Sequence, residues 1–190
     1  MTPAALLESE MDAVRGRVAM QLESLDALAL HLVAAAAAWK VARRKALNDA
    51  ADIVKKDARK QIGRYQPAVG IYPEWAPLAE STVDEKARLG VTPRGGMDDD
   101  APLYRFGDLL RSFRSELVSD DEVVIGSTEL SMAYHEFGTS KMPPRPVLGP
   151  AFVKNREQIQ KLLGVAVIDA VLVGQHLGYR LSGGEESPEE

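Results

Sequence analysis

The sequence predicts an α+β fold in which long N-terminal helices and a C-terminal amphipathic helix flank a small antiparallel sheet of three or four strands. Two stretches, 47–62 and 152–170, carry apolar residues at helical spacing. Between them, residues 111–127 hold short alternating stretches that are typical of strands. We expect the C-terminal helix to pack on the sheet, because each element has one apolar face to bury.

Residues 1–45 are predicted to form an N-terminal helical extension. Thr2 and Pro3 suit a helix cap and first turn. The longest apolar run, Ala27–Trp39, is 13 residues long. A membrane span needs about 20 such residues, so this run predicts a buried helical segment and no membrane partner.

A second helical stretch, 40–64, opens the predicted α+β domain, which extends over 46–178. One face is apolar and is formed by Leu47, Ala50, Ala51, Val54, Ala58 and Ile62. The other face is basic, with Lys55, Lys56, Arg59 and Lys60 at its centre. A basic helix face is usually solvated. The alternative is a surface that docks on an acidic partner or on DNA phosphates.

Residues 66–101 form a long loop rich in proline and glycine, with the acidic run Asp98–Asp100 near its end. Within it, 79–89 has the composition of a short helix. Trp75 and Leu78 are predicted to hold one end of the loop on the core.

The strands are predicted at 111–118 and 122–127, joined by a turn at Asp120-Asp121, with a third at 132–137. The C-terminal helix starts at Pro150 and ends near 174–178. Its buried face is predicted to consist of Phe152, Ile159, Leu162, Leu163, Ala166, Val167 and Ala170. Residues 179–190 form an acidic tail that has nothing to bury and is predicted to be disordered.

Composition and motifs argue against an enzyme. The chain has no cysteine, which excludes disulfides and thiolate metal sites, and its net charge is −5. His135-Glu136 is not a helical zinc motif, because position 139 is a threonine and not a second histidine. The glycines at 90–96 lack the lysine and hydroxyl pair of a phosphate-binding loop. We therefore predict no catalytic residues, no metal and no cofactor.

The chain is organised around residues 133–152, which we call the connector. It combines aromatic residues, Gly138, and Pro143, Pro144 and Pro146 before a helix start. Prolines cannot donate backbone hydrogen bonds and bias the preceding residue toward extended conformations. The sequence therefore predicts a stiff segment that runs from the sheet into the C-terminal helix and positions something at a fixed angle.

The motif Tyr134–Pro146, continuing through Leu148, Pro150 and Ala151, resembles the signature of the tail-component family of tailed bacteriophages. These proteins are also described as tail-completion, neck or virion-morphogenesis proteins. Weaker likenesses lie at 46–63, 75–86 and 102–113, so the resemblance covers roughly 47–173. Two features depart from the family pattern, namely Phe106 in place of the usual threonine before Gly107 and the length of the extension at 1–45.

The resemblance implies a structural protein of the virion that acts at the head–tail junction, after assembly in the host cytoplasm. It implies a homo-oligomeric ring around the channel, with head-side connector or neck proteins and tail terminator or tail tube proteins as partners. Phage DNA would pass through the ring without sequence-specific binding. The alternatives are a tail terminator, a tail assembly factor absent from the virion, or a DNA-binding module that uses helix 40–64.

Under this interpretation the interface between subunits or with partners falls on the connector and on the basic helix face. A ring subunit needs rigid complementary surfaces, and exposed aromatic residues are typical interface anchors. We further expect the basic face to meet the acidic loop of the next subunit. The predicted interface residues are Tyr134, Phe137, Gly138, Thr139, Lys141, Pro144, Arg145, Pro146, Lys55, Lys56, Arg59 and Lys60.

Overall fold

The computed structural model describes residues 25–181 and has the α+β fold. The elements, in chain order, are helices α1 (Leu25–Gln61), α2 (Glu80–Arg88) and α3 (Asp108–Ser112), strands β1 (Phe113–Leu117) and β2 (Val123–Ser127), and helices α4 (Ser131–Phe137) and α5 (Leu148–Leu181). The predicted helical start at Thr2-Pro3 and residues 182–190 of the predicted tail lie outside the described residues. The predicted domain boundary at 45/46 falls within α1.

The chain divides into two compact units. One is Arg44–Leu163, and the described residues of the other are 25–43 and 164–181. The first unit contains both strands, the long loop and the connector. Its hydrophobic core consists of Ala50, Val54, Ala58, Ile62, Trp75, Ala101, Tyr104, Leu109, Phe113, Met132, Val147, Ala151 and Ile159.

The apolar face predicted for the second helical stretch is confirmed. Ala50, Ala51, Val54, Ala58 and Ile62 of α1 are buried, and Leu47 is half-buried. Small residues at three of these positions let the helix backbone lie close to its neighbours. The short helix predicted at 79–89 is also present as α2.

The sheet is a two-stranded antiparallel hairpin whose register pairs Phe113 with Ser127 and Leu117 with Val123. Phe113 is 1% exposed and enters the core that also contains Ala151 and Ile159 of α5. The predicted hairpin is therefore confirmed. The predicted three or four strands are not confirmed, because the described residues contain two.

The predicted third strand at 132–137 is wrong, since residues 131–137 form α4. The alternation of aromatic and polar residues suggested a strand, but burial follows a helical spacing. Met132 is buried and His135 and Glu136 are half-buried, while Tyr134 and Phe137 are exposed. Residues three or four positions apart share a helix face, which explains this pattern.

Helix α5 is confirmed, but it ends at Leu181 and not near 174–178, so residues 179–181 of the predicted tail are helical. Two residues of its predicted buried face are exposed. Ile159, Ala166 and Ala170 are buried, whereas Phe152 and Val167 are 50% and 46% exposed. Each of these two follows a buried alanine, Ala151 or Ala166. One step along a helix rotates a side chain by about 100°, which moves it off the buried face.

The apolar run 27–39 was predicted to be buried, and this is wrong for most of its large side chains. Within the described residues of the unit that contains it, Leu32 and Val33 are 58% and 69% exposed, and Ala34 is buried. Residues 165–173 of α5 also expose apolar side chains, such as Val165 and Ile168. No helix among the described residues has the length and apolar character needed to span a membrane.

Candidate assembly surface around the connector

The connector starts in α4 and leaves it through a conformation that favours glycine. Gly138 has φ 74° and ψ 178° and donates its N–H to the carbonyl of Tyr134. A Cβ at this position would lie 2.9 Å from the nitrogen of Pro144 and 3.0 Å from the carbonyl oxygen of Met142. Gly138 thus permits both the backbone angle and the close return of the chain.

Glu136 joins α4 to the start of α5. Its carboxylate accepts the N–H groups of Val147, Leu148 and Gly149 at 2.8, 3.2 and 3.1 Å. The first N–H groups of a helix have no partner within that helix, and position 150 is a proline that has none to satisfy. A negative charge is also favoured at the positive end of the helix dipole. Glu136 therefore fixes where α5 starts relative to α4.

Arg145 and Pro146 hold the middle of the connector against the segment 75–77. The Arg145 guanidinium donates to the carbonyl oxygens of Ala76 at 3.0 Å and of Pro77 at 3.0 Å. The Trp75 indole N–H donates to the carbonyl oxygen of Pro146 at 3.1 Å. The Arg145 backbone N–H also bonds to the carbonyl oxygen of His135 at 2.6 Å.

These contacts place two of the predicted interface residues inside the subunit. Arg145 is 4% exposed, and Pro146 is also buried. A guanidinium with several donors in one plane suits a role in which it bridges backbone carbonyls. Trp75 is confirmed as a residue that holds the loop on the core, and Leu78 beside it is half-buried.

The other predicted connector residues are at or near the surface. Tyr134 and Phe137 are 50% and 82% exposed, and Thr139, Lys141 and Pro144 are exposed. Residues 139–142 form a tight turn in which Thr139 and Met142 exchange backbone hydrogen bonds of 2.9 and 3.3 Å. The connector thus has a hydrogen-bonded interior and an exterior of aromatic and turn residues.

A cleft of about 620 Å³ lies beside α4, between residues 77–86, 103–109 and 129–145. Its lining includes the apolar side chains of Leu78, Leu103, Phe106 and Met142. This cleft is not among the sites predicted from the sequence. Its walls come from three separate segments of the chain, so no local pattern in the sequence indicates it.

Two titratable side chains line this cleft. Lys86 is 8% exposed and donates to the backbone carbonyls of Asp100 and Ala101, the latter at 2.6 Å. Burial lowers the pKa of Lys86, although the charge of Asp100 opposes this. Burial also lowers the pKa of His135, and the nearby charge of Arg145 adds to the effect. Among the described residues, no hydrogen-bond partner is found for Nδ1 of His135.

The acidic run that was expected to meet a neighbouring subunit is partly used within its own chain. The Asp98 carboxylate accepts the backbone N–H of Tyr65 at 2.6 Å. The Tyr65 hydroxyl donates to Asp100 at 2.5 Å and accepts the N–H of Leu78 at 2.9 Å. Burial and the bond to Asp100 raise the pKa of Tyr65. Asp99 remains exposed.

The basic face of α1 is divided in the same way. Lys55 pairs with Asp52 at 2.7 Å, and Arg59 donates to the Phe113 carbonyl oxygen at 3.1 Å. Lys56, Arg59 and Lys60 are exposed on the same helix, whereas Lys55 is half-buried. The exposed part of the predicted basic surface is therefore narrower than the sequence suggested.

Within the described residues, no group of three or more His, Cys, Asp or Glu residues could hold a metal ion. The chain was compared with protein-family models, with curated proteins and with solved structures, and it matches none of them.

Proposed function

We propose that the chain is a structural subunit of the head–tail junction of a tailed bacteriophage, where it assembles as a ring around the DNA channel. The proposal starts from the connector motif that resembles the tail-component family. Its partners would be copies of itself, head-side connector or neck proteins, and tail terminator or tail tube proteins. DNA would pass through the ring without sequence-specific contacts.

The observation that carries the proposal is that some connector residues are bonded inside the subunit while its aromatic residues are exposed. Glu136, Arg145 and Pro146 are bonded inside the subunit, while Tyr134 and Phe137 are exposed on α4. A motif that serves only the core would bury its aromatic residues, because their burial contributes most to core stability. A rigid support under exposed aromatic residues is what an assembly interface requires.

Exposed apolar residues in the other unit also favour an assembling protein. On α1 the exposed apolar residues at spacings of three and eight are Leu30, Val33 and Val41. On α5 those at spacings of three and four residues are Val165, Ile168 and Leu172. Residues at such spacings lie along one side of a helix. Apolar stripes of this kind on a surface mark contact sites for other proteins.

A DNA-binding module remains the alternative of a different class, because Lys56, Lys60 and Arg64 are exposed near the end of α1. Binding through phosphate contacts releases counterions, so the affinity would fall steeply with salt concentration. A tail terminator or a tail assembly factor absent from the virion is the alternative within morphogenesis.

The test is electron microscopy of particles made when the gene is deleted from the phage or prophage that carries it. The proposal predicts DNA-filled heads beside separate, unjoined tails. Joined and infectious particles would contradict it. Detection of the protein by mass spectrometry in purified virions would separate a junction subunit from an assembly factor that leaves the particle.

A further inference from the structure

Phe137 and the cleft beside α4 form a convex and a concave surface on the same subunit. The Phe137 ring is 82% exposed, more than Phe106 at 54% or Tyr134 at 50%. The cleft has a volume of about 620 Å³, which falls within the range of pockets that bury a ligand in proteins. Both features lie in the unit Arg44–Leu163.

The Phe137 ring does not line the cleft of its own subunit. The cleft is lined by Ser131 and His135, which share one side of α4. At 3.6 residues per turn, Phe137 points roughly 160° around the helix from His135. The helix itself therefore separates the ring from the cleft.

We propose that the Phe137 ring of one copy inserts into the cleft of a second copy, so that the subunits join head to tail. This inference rests on the proposed ring and names the two surfaces that form its repeating contact. Such a contact uses different surfaces on the two partners and propagates until symmetry closes the ring.

The chemistry of the cleft fits an aromatic ring from a neighbouring copy. Leu78, Leu103 and Phe106 provide an apolar lining, and offset or edge-to-face contact with Phe106 adds to the burial. Arg105 and Lys141 bring positive charge to the same lining, and cations are attracted to the face of an aromatic ring. Arg105 is held in place by Glu85 at 3.0 Å.

The buried area indicates a contact that is weak for a single pair. An aromatic side chain buries about 150–250 Å², whereas a stable interface buries about 800 Å² on each partner. Phe137 therefore serves as an anchor and requires further contacts around it. We expect association to depend on concentration, with monomers in dilute solution.

The first test uses three single variants of the full chain in sedimentation velocity at rising concentration. Phe137→Glu removes the anchor, Phe106→Glu places a charge in the cleft, and Ile71→Glu is the matched control. Ile71 is 89% exposed and does not line the cleft. We expect the wild type and the control to associate, and each of the other two variants to stay monomeric with unchanged circular dichroism.

Mixing Phe137→Glu with Phe106→Glu makes the test specific. The first variant retains an intact cleft and the second retains an intact Phe137, so one productive contact can form between them. The mixture should therefore give a one-to-one dimer and no larger species. A two-fold contact, in which each copy inserts its Phe137 into the other, would instead limit the wild type to dimers.

The second test replaces Phe137 by the photoreactive residue p-benzoylphenylalanine, which keeps an aromatic ring at that position. Irradiation of the concentrated protein should yield covalent oligomers whose cross-linked peptides contain residues 77–86, 103–109 or 141–143. The same probe at Ile71 should yield no cross-links to these peptides. Cross-links from position 137 to other peptides, or none, would overturn the inference.

The two proposals fail in different ways. If the wild type assembles and both glutamate variants assemble equally well, the contact through Phe137 is wrong and the ring proposal is unaffected. If the deletion phage makes normal joined particles, the proposed function is wrong whatever the cross-linking shows. If no oligomers form at any concentration and position 137 gives no intermolecular product, the inference is overturned.

Discussion

Glu136 and Arg145 show at the residue scale how a charged side chain serves geometry in this protein. Glu136 satisfies three backbone donors at the start of α5, and Arg145 bridges two backbone carbonyls of the segment 75–77. A partly buried backbone donor or acceptor that lacks a hydrogen-bond partner costs free energy of folding. Glu136 and Arg145 avoid this cost by bonding to those backbone groups.

Replacing Glu136 by alanine should destabilise the protein by about 1–2 kcal/mol, the usual cost of losing a side chain that caps a helix. Three N–H groups, of Val147, Leu148 and Gly149, would lose their acceptor. Urea denaturation followed by circular dichroism measures the change. Glu116→Ala is the control, since Glu116 is exposed on β1. Equal midpoints for the two variants would contradict the capping role.

His135 should make stability depend on pH. Burial and the charge of Arg145 lower its pKa below the ordinary value of 6.5. Between the folded and the unfolded pKa, the unfolded chain binds more protons, so stability falls as the pH drops below about 6.5. The substitution His135→Asn removes the side chain that binds this proton. The variant should therefore lose less stability than the wild type between pH 7.5 and 5.5.

Urea midpoints of both proteins at several pH values test this expectation. The wild-type loss also contains contributions from carboxylates, so the difference between the two proteins is the quantity of interest. Equal losses in both proteins would show that His135 is not held neutral by its surroundings.

At the element scale, the sequence predicts the features that depend on local periodicity. The apolar face of α1, the hairpin of β1 and β2, and helix α2 follow from spacing within each segment. Helix α4 was mistaken for a strand because seven residues hold too few turns for the helical period to stand out. Which side of α4 is buried depends on tertiary contacts. Met132 packs in the core, and Glu136 bonds to the start of α5.

The candidate surface could be predicted only in part, for a similar reason. The motif predicted Phe137 as an exposed interface residue, but it did not predict the tight turn at 139–142. The motif did not show that Arg145 is buried, because its partners Ala76 and Pro77 lie far away in sequence. The cleft depends on the same long-range packing.

The exit from α4 provides a test of the connector's rigidity. Gly138→Ala should cost about 1–3 kcal/mol, because the backbone there lies in a region that essentially only glycine occupies. The added Cβ also meets the backbone of Pro144 and Met142. Gly126→Ala in β2 is the matched control, since a Cβ there meets nothing within 4 Å. Thermal melting of both variants gives the comparison, and equal melting temperatures would contradict this account.

At the scale of the whole molecule, charges that remain exposed are the ones available to a neighbouring subunit. Lys55 and Arg59 also make contacts within the chain, so reversing their charge would disturb Asp52 and Phe113 as well. The cleaner variant is Lys56→Glu with Lys60→Glu. If the basic face meets an acidic partner, this variant should fold normally and lose assembly, and the loss should be larger at low salt.

Arg156→Glu with Lys161→Glu is the matched control, because both residues are exposed on α5 and the change in net charge is equal. Light scattering at two salt concentrations measures assembly in each case. Normal assembly of the Lys56 and Lys60 variant would contradict a role for these two lysines in the interface.

The most direct test of the central claim is complementation of the deletion phage with single variants, followed by counting joined particles in the electron microscope. The claim is that the exposed aromatic side of the connector mediates assembly at the head–tail junction. Wild type and Ile71→Glu should restore joined particles, whereas Phe137→Glu should leave heads and tails separate although the protein accumulates and folds. Full restoration by Phe137→Glu would contradict the claim.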